Sequence, residues 1–229
     1  MTTDTFDRFS TVYDTLIPQH IAGHYLERRV GFIQASAAGP LMLEVGCGTG
    51  SIAHRLTGQG FRVIGLDASL GMLKKAFEKH LPLLQADSTT LPFPAGQFDT
   101  TFCIAMLHHL APTRETVRKT LEEMVRITRP GGTIMVCDHN PLNPYWKIFM
   151  RQLPWDKDVE RLVPCHEIVQ ILAASGVRIM ETSRRGWVPN FLPRGALRWA
   201  GPLEKILEAI PLIKYLGAHN IVVGRKNYE

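Results

Sequence analysis

The chain is expected to be an α/β protein with a mostly parallel sheet and helices on both faces. Three observations say so. Apolar strand-like runs alternate with segments of helical periodicity along most of the 229 residues. One run, Phe98–Ala105, is mostly apolar, at Phe98 and from Phe102 to Ala105, as expected for a parallel strand buried on both faces. And the first run, 41–45, leads directly into the turn Gly46-Cys47-Gly48-Thr49-Gly50, where a strand hands over to a helix.

Taken in order, apolar spacing predicts a helix over 16–35 and a strand over 41–45. A helix over 50–58 begins at the glycine turn. A strand over 61–66 is followed by a helix from Ser69 to Lys79, with Ser69 as N-cap. Pro82–Gln85 reads as a short strand and 98–105 as the next. Thr113–Thr128 is an amphipathic helix, with Val117, Leu121, Met124 and Val125 on one face, stopped by Pro130-Gly131-Gly132. Strands over 133–137, 177–182 and 221–225 and a helix over 164–175 complete the pattern. Parallel strands joined by helices require right-handed crossovers. The length suits one domain with a substantial core, spanning 1–229.

Composition narrows the class. No run of about eighteen apolar residues is present, and the first residues lack the basic and apolar regions of a signal peptide. Cys47, Cys103, Cys137 and Cys165 show no C-x-x-C spacing. Buried, reduced thiols in a cytoplasmic protein are expected, and no metal site. The net charge of +5 is concentrated late in the chain. Residues 183–218 hold six Lys/Arg against Glu204 and Glu208, interleaved with Trp187, Phe191, Trp199 and Tyr215. Such a surface suits nucleic acid, anionic lipid or an anionic small molecule, or is simply a solvated helical face.

The glycine turn carries the chemistry. Glycines admit a ligand close to the backbone, and Asp67, closing the second strand, can accept both hydroxyls of a ribose. A dinucleotide turn reads G-x-G-x-x-G and presents a helix N-terminus to pyrophosphate. Here the spacing is G-x-G-x-G, with Glu44 two residues before the first glycine. A carboxylate there disfavours pyrophosphate and suits a ligand bearing an ammonium and a sulfonium, S-adenosylmethionine (SAM).

The word Glu44-Val-Gly-Cys-Gly-Thr-Gly50 closely resembles motif I of the class I SAM-dependent methyltransferases. A second word, Ala86-Asp87-Ser88 followed by Leu91-Pro92-Phe93-Pro94 and Phe98-Asp99, resembles the small-molecule members that include the ubiquinone and menaquinone biosynthesis enzymes. The resemblance covers 41–138. It implies a Rossmann-like seven-stranded sheet of order 3-2-1-4-5-7-6 with strand 7 antiparallel. It implies SAM contacts from Glu44, Gly46, Cys47, Gly48, Gly50, Asp67, Ala68, Met72, Asp87, Ser88, Ile104 and Ala105, with S-adenosylhomocysteine as product. Asp87 would bind the adenine amino group and the Ser88 N–H a ring nitrogen. Asp99 is expected to be structural.

The reaction implied is an in-line displacement onto an oxygen or carbon of a small, partly apolar acceptor. A protonated acceptor needs a base, and histidine is suited to that work. His109 is the first candidate and His108 the second, at the end of the fourth strand, followed by Asp138 and His139. The segment 1–38 is expected to form lid helices over a SAM-binding core of 39–138. Its Phe6-Asp7 and Tyr13-Asp14 fit a pattern of that group, with Tyr13 closing over SAM. Insertions at 139–163 and 183–218 are expected to face the acceptor. Asp138, His139, Asn140 and Tyr145 belong to the first, and the stripe Leu203, Ile206, Leu207 and Ile210 to the second, a candidate for lipid contact. Asn143-Pro144-Tyr145-Trp146 is neither spelled nor placed like the word that marks base methylation, which argues against nucleic acid. The competing readings are a nucleotide-dependent oxidoreductase, disfavoured by Glu44, a non-catalytic SAM-binding partner protein, and an RNA or protein methyltransferase using the basic C-terminal third.

Overall fold

The computed structural model describes residues 3–110, 113–149 and 161–228. The part of the 139–163 insertion at 150–160 lies outside the described residues. Seven strands form one sheet, β1 (Leu41–Val45), β2 (Arg62–Asp67), β3 (Leu83–Gln85), β4 (Phe98–Ile104), β5 (Thr128–His139), β6 (Val177–Arg185) and β7 (His219–Lys226). Their order is β3-β2-β1-β4-β5-β7-β6. β1 to β5 run parallel, and β7 is antiparallel to both β5 and β6. The expected topology is therefore the observed one.

Strand alternation sorts the core into two layers. Leu43, Phe98, Cys103, Ile134 and Val136 face one side, against Val117, Leu121 and Met124 of helix α6 (Arg114–Ile127) and Ile168 and Leu172 of α8 (Cys165–Ala174). Their neighbours Met42, Phe102, Met135 and Cys137 face the other, against Val30 and Ile33 of α2 (Gln19–Ser36) and Ile52 and Leu56 of α3 (Ser51–Thr57). Both faces are covered, which is why these strands read as mostly apolar runs. All four cysteines are buried free thiols.

Helix α4 (Leu70–Phe77) starts as expected, with Ser69 Oγ accepting from Met72 N at 3.1 Å. Helix α2 starts only at Gln19, because Pro18 fixes the preceding backbone; Tyr13–Thr15 is a separate 3-10 turn. The expected stop at Pro130-Gly131-Gly132 comes earlier. Thr128 is already extended, and β5 absorbs the Pro-Gly-Gly turn as an irregularity. Phe98 pairs with Thr128 and Thr100 with Thr133. Asp99, in that gap, accepts from Arg129 Nε at 2.6 Å and Leu41 N at 3.0 Å, a structural tie between strand starts.

Four helices complete the site end of the molecule. Helix α1 (Thr3–Phe9) packs on α4. A four-residue helix α5 (Leu107–Leu110) follows β4, and α7 (Pro144–Phe149) follows β5. Helix α9 (Leu197–Ala209) lies between β6 and β7.

Candidate active site

The glycine turn lies at the carboxyl end of β1, where open α/β sheets bind ligands. Gly46, Gly48 and Gly50 all have positive φ (73°, 53° and 75°). At Gly46 a side chain would also collide with the Met106 side chain. Gly48 differs: no atom lies within 4 Å of its missing Cβ, so it faces open space and lets a ligand reach the backbone. Gly48 N donates to Asp67 Oδ2 at 2.8 Å, and Ser69 N donates to Oδ1 at 2.9 Å. Asp67 is thereby locked beside the turn. Burial pushes its pKa upward, against the pull of these N–H donors.

Glu44 lies near the end of β1, close enough to Asp67 to feel its charge. It is buried and accepts from Ala53 N at 3.0 Å, in the first turn of α3. Burial, reinforced by the Asp67 charge and opposed by the Ala53 N–H, leaves its pKa pushed up to about 8. Cys47 is buried and its thiol is pushed well up for the same first reason. Ala68 is exposed, and its carbonyl accepts from Gln85 Nε2 at 3.0 Å. Met72 is buried behind the turn. At the end of β3, Asp87 is exposed and accepts from Thr89 N and Oγ1, both at 2.7 Å, while Ser88 Oγ meets Thr120 Oγ1 at 3.0 Å. Ile104 is buried at the end of β4. Ala105 holds a φ of 52°, with its N donating to Cys137 O at 2.7 Å. A left-handed alanine at a strand end is the kind of local strain that clusters at functional sites.

The N-terminal segment crosses this crevice. Asp7 Oδ1 accepts from Ser69 Oγ at 2.5 Å and Gly71 N at 2.7 Å; both contacts hold its pKa down. Gly71 permits the approach, since a Cβ there would sit 2.7 Å from Asp7 Cα. Asp14 accepts from Thr49 Oγ1 at 2.8 Å, and Tyr13 beside it is half-buried. Phe6 meets the His109 ring edge-on at 4.8 Å.

The histidine pair lies on α5, past the strand end rather than on it. His108 is buried, with Nδ1 2.7 Å from Asp138 Oδ1 and its backbone N donating to Oδ2 at 3.2 Å. The Asp138 carboxylate beside Nδ1 fixes the orientation of the ring. His109 is half-buried between His108, at 3.9 Å between centroids, and Phe6. Burial and the neighbouring His108 hold its pKa well below the usual value, so it is neutral at pH 7.

Behind the pair the rings continue. His139 stacks on His108 at 4.2 Å and on Trp146 at 3.7 Å, and lies 5.5 Å from His219, its β7 partner. His139 Nδ1 is buried with no hydrogen-bond partner among the described residues. Ligand atoms of His108, Asp138 and His139 lie within 4.8 Å of one another. Asp138 already accepts from the backbone N–H groups of His108 and His139 and meets His108 Nδ1, so it fixes the His108 ring against the chain.

Trp146 and His219 open onto a cavity of about 230 Å³ walled also by Tyr25, Tyr145, Trp187 and Val188. The Trp187 indole N–H is buried without a hydrogen-bond partner among the described residues. Asn140 and Asn143 shape this wall. Asn140 Nδ2 donates to Tyr215 O and Gly217 O, at 2.9 and 2.8 Å, and Asn143 Nδ2 donates to Leu216 O at 2.5 Å. The stripe does not join it: Leu203 and Ile206 on α9 and Ile210 just past its end are exposed, while Leu207 is half-buried, and none of the four lines the cavity. The wall of 183–218 is instead formed by 186–190, 216 and 218. Tyr25, Trp146 and His219 were not singled out from sequence, because only the β5–β7 pairing brings these distant positions together.

Fold and glycine turn together resemble those of the class I SAM-dependent methyltransferases. Residues 43–136 match the methyltransferase domain family. The chain is 31% identical over 166 residues to a demethylmenaquinone methyltransferase of Paenarthrobacter aurescens, covering 65% of this chain and 64% of the relative. It is 28% identical over 195 residues to a 2-methyl-6-phytyl-1,4-hydroquinone methyltransferase of Synechocystis, covering 76% and 60%. The alignments thus span less than two thirds of these relatives' length. A SAM-dependent methyltransferase from Thermotoga maritima shares the fold, with a TM-score of 0.70 at 16% identity over 99% of this chain and 100% of that one. SAM is the cofactor of this class. The open face of Gly48 and the carboxylate of Asp67 beside it fit its ribose and amino-acid portions.

Proposed function

We propose that the protein transfers a methyl group to an oxygen or carbon of a small, partly apolar acceptor held in the aromatic cavity. SAM supplies an activated methyl. The protein's task is then to align the acceptor, exclude water and take up a proton where the acceptor carries one. The observation that carries this reading is the unbroken run of rings from His109 through His108 and His139 to Trp146, which joins the lid to the cavity. Neutral His109, facing the lid, is the proton acceptor in this scheme. His108 is a positioning residue, held by Asp138. The unpartnered Trp187 N–H favours an acceptor with an oxygen on its ring. In this reading Gly48, Asp67 and Asp87 bind SAM, Glu44 organises the start of α3, and the lid closes through Asp7 and Asp14.

The test is methyl transfer from labelled SAM to a panel of phenolic, quinol and aliphatic acceptors, with His109→Ala and Trp187→Phe alongside the wild type. His109→Ala should lower kcat about 100-fold and leave SAM affinity within a factor of about three. Trp187→Phe should raise the acceptor KM by about tenfold. An unchanged kcat in the histidine variant removes the base from the scheme, and an unchanged KM in the tryptophan variant moves the acceptor elsewhere.

A further inference from the structure

Helix α9 is built inside out. Its Glu204 is buried: Oε2 accepts from Arg28 Nη1 at 2.6 Å and meets His24 Nε2 at 2.8 Å, while Oε1 accepts from Trp187 N at 2.7 Å. Glu208 binds Arg28 Nη2 at 2.6 Å. The carboxylates therefore face the protein. On the opposite side Trp199, Leu203 and Ile206 follow at helical spacing and are 69%, 54% and 58% exposed. An ordinary surface helix does the reverse. The patch continues beyond the helix. Leu212 is 80% exposed and held at φ 71°, a conformation a leucine rarely adopts, and Phe191 is 79% exposed.

We infer that this face docks on the surface of an anionic lipid bilayer. Charge decides the occupant. Arg194, Arg198, Lys205 and Lys214 are exposed around the apolar stripe, and none is ion-paired among the described residues. The Arg198 guanidinium lies 5.3 Å from the Trp199 ring and the Lys214 ammonium 5.6 Å from that of Tyr215. Apolar side chains entering the acyl boundary, aromatics at headgroup level and cations on the phosphates match an interfacial helix. A second copy of the chain would bring these unpaired cations against each other. RNA would use the cations but leave Leu203, Ile206 and Leu212 in water. Leu216 lies both in this exposed surface and in the cavity wall. If the cavity holds the acceptor, as proposed above, a lipid-soluble acceptor reaches it from the bilayer. Binding itself does not depend on that reading.

The experiment is flotation of the full chain with phosphatidylcholine vesicles, with and without about one third phosphatidylglycerol, no acceptor being needed. Wild type should float with the anionic vesicles and stay behind with the neutral ones. The double variant Leu203→Ser/Ile206→Ser and the charge reversal Arg198→Glu/Lys205→Glu should each reduce the bound fraction about tenfold, with unchanged circular dichroism. Because these side chains point outward, folding should survive. No flotation with anionic vesicles overturns the inference, and so do apolar variants that float like wild type. It is equally overturned by a dimer that dissociates in the apolar variant and ignores vesicles, or by RNA binding lost only in the charge reversal.

Discussion

Asp67 and Glu44 are two carboxylates near one glycine turn, and their surroundings give them different work. Asp67 keeps two backbone donors beside the turn, whereas Glu44 is buried and accepts from Ala53 N. Asp67→Ala should weaken SAM binding at least about 100-fold, since charge-assisted hydrogen bonds are the strong ones. Near-normal affinity would take Asp67 out of the site. Glu44 makes a pH statement. Its folded pKa is raised from 4.5 to about 8. The acid form is thus favoured by folding, and the stability it contributes below pH 4.5 is lost as pH rises through about 8. Glu44→Gln keeps the acceptor for Ala53 N and cannot ionise. Its stability relative to wild type should rise across this range, by an amount on the order of a few kcal/mol. Urea midpoints that stay parallel at every pH would assign Glu44 an ordinary titration. That the motif acid is buried and accepts from α3 was not legible in the sequence, where its charge argued for the ligand. The spelling records that an acid is there, but not which backbone donor it meets.

At the scale of elements, two segments are attached through a few polar anchors. Helix α1 meets α4 through Asp7 against Ser69 and Gly71. Gly71→Ala would place a methyl against the Asp7 backbone, and the N-terminal segment, being the smaller body, should move. Hydrogen exchange of residues 3–15 should then quicken while that of β1 and β4 stays unchanged; equal protection in both proteins would mean the segment does not depend on that approach. Helix α9 meets α2 through Glu204. Glu204→Ala leaves Arg28 and His24 without their shared partner and should cost about 2–4 kcal/mol in denaturant unfolding. A loss below about 0.5 kcal/mol would show the pair to be replaceable by water. Helical periodicity revealed that α9 exists. It also marked Leu203, Ile206, Leu207 and Ile210 as an apolar stripe, without saying which side of the helix the protein would cover. The buried partner chosen by the fold was the acidic side, because α2 presents Arg28 and His24 there. A pairing 176 residues apart leaves no local signal in the sequence.

For the whole molecule, the sheet order was legible because parallel crossovers and the methyltransferase motifs leave few alternatives. The acceptor cavity was not, since it is assembled from α2, the segment after β5 and the ends of β6 and β7. The same assembly gathers buried histidines. His109, His139 and His219 have pKa values held well below 6.5, chiefly by burial. Each folds best when neutral. The stability this represents is present above pH 6.5 and is lost as pH falls from there toward the folded values, opposite in sign to Glu44. Since α5, β5 and β7 share the cluster, the loss should be global. His139→Phe keeps a ring against Trp146 and should reduce the drop in stability between about pH 7 and 5. A drop of unchanged size would place the acid sensitivity elsewhere.

The central claim is that the glycine turn and Asp67 hold SAM and no dinucleotide. Calorimetric titration of the purified chain with SAM, S-adenosylhomocysteine and NAD, in wild type and in Asp67→Ala, tests it most directly. The account predicts saturable one-site binding of SAM and S-adenosylhomocysteine, its loss in the variant, and no heat from NAD. Saturable binding of NAD with none of SAM would contradict it.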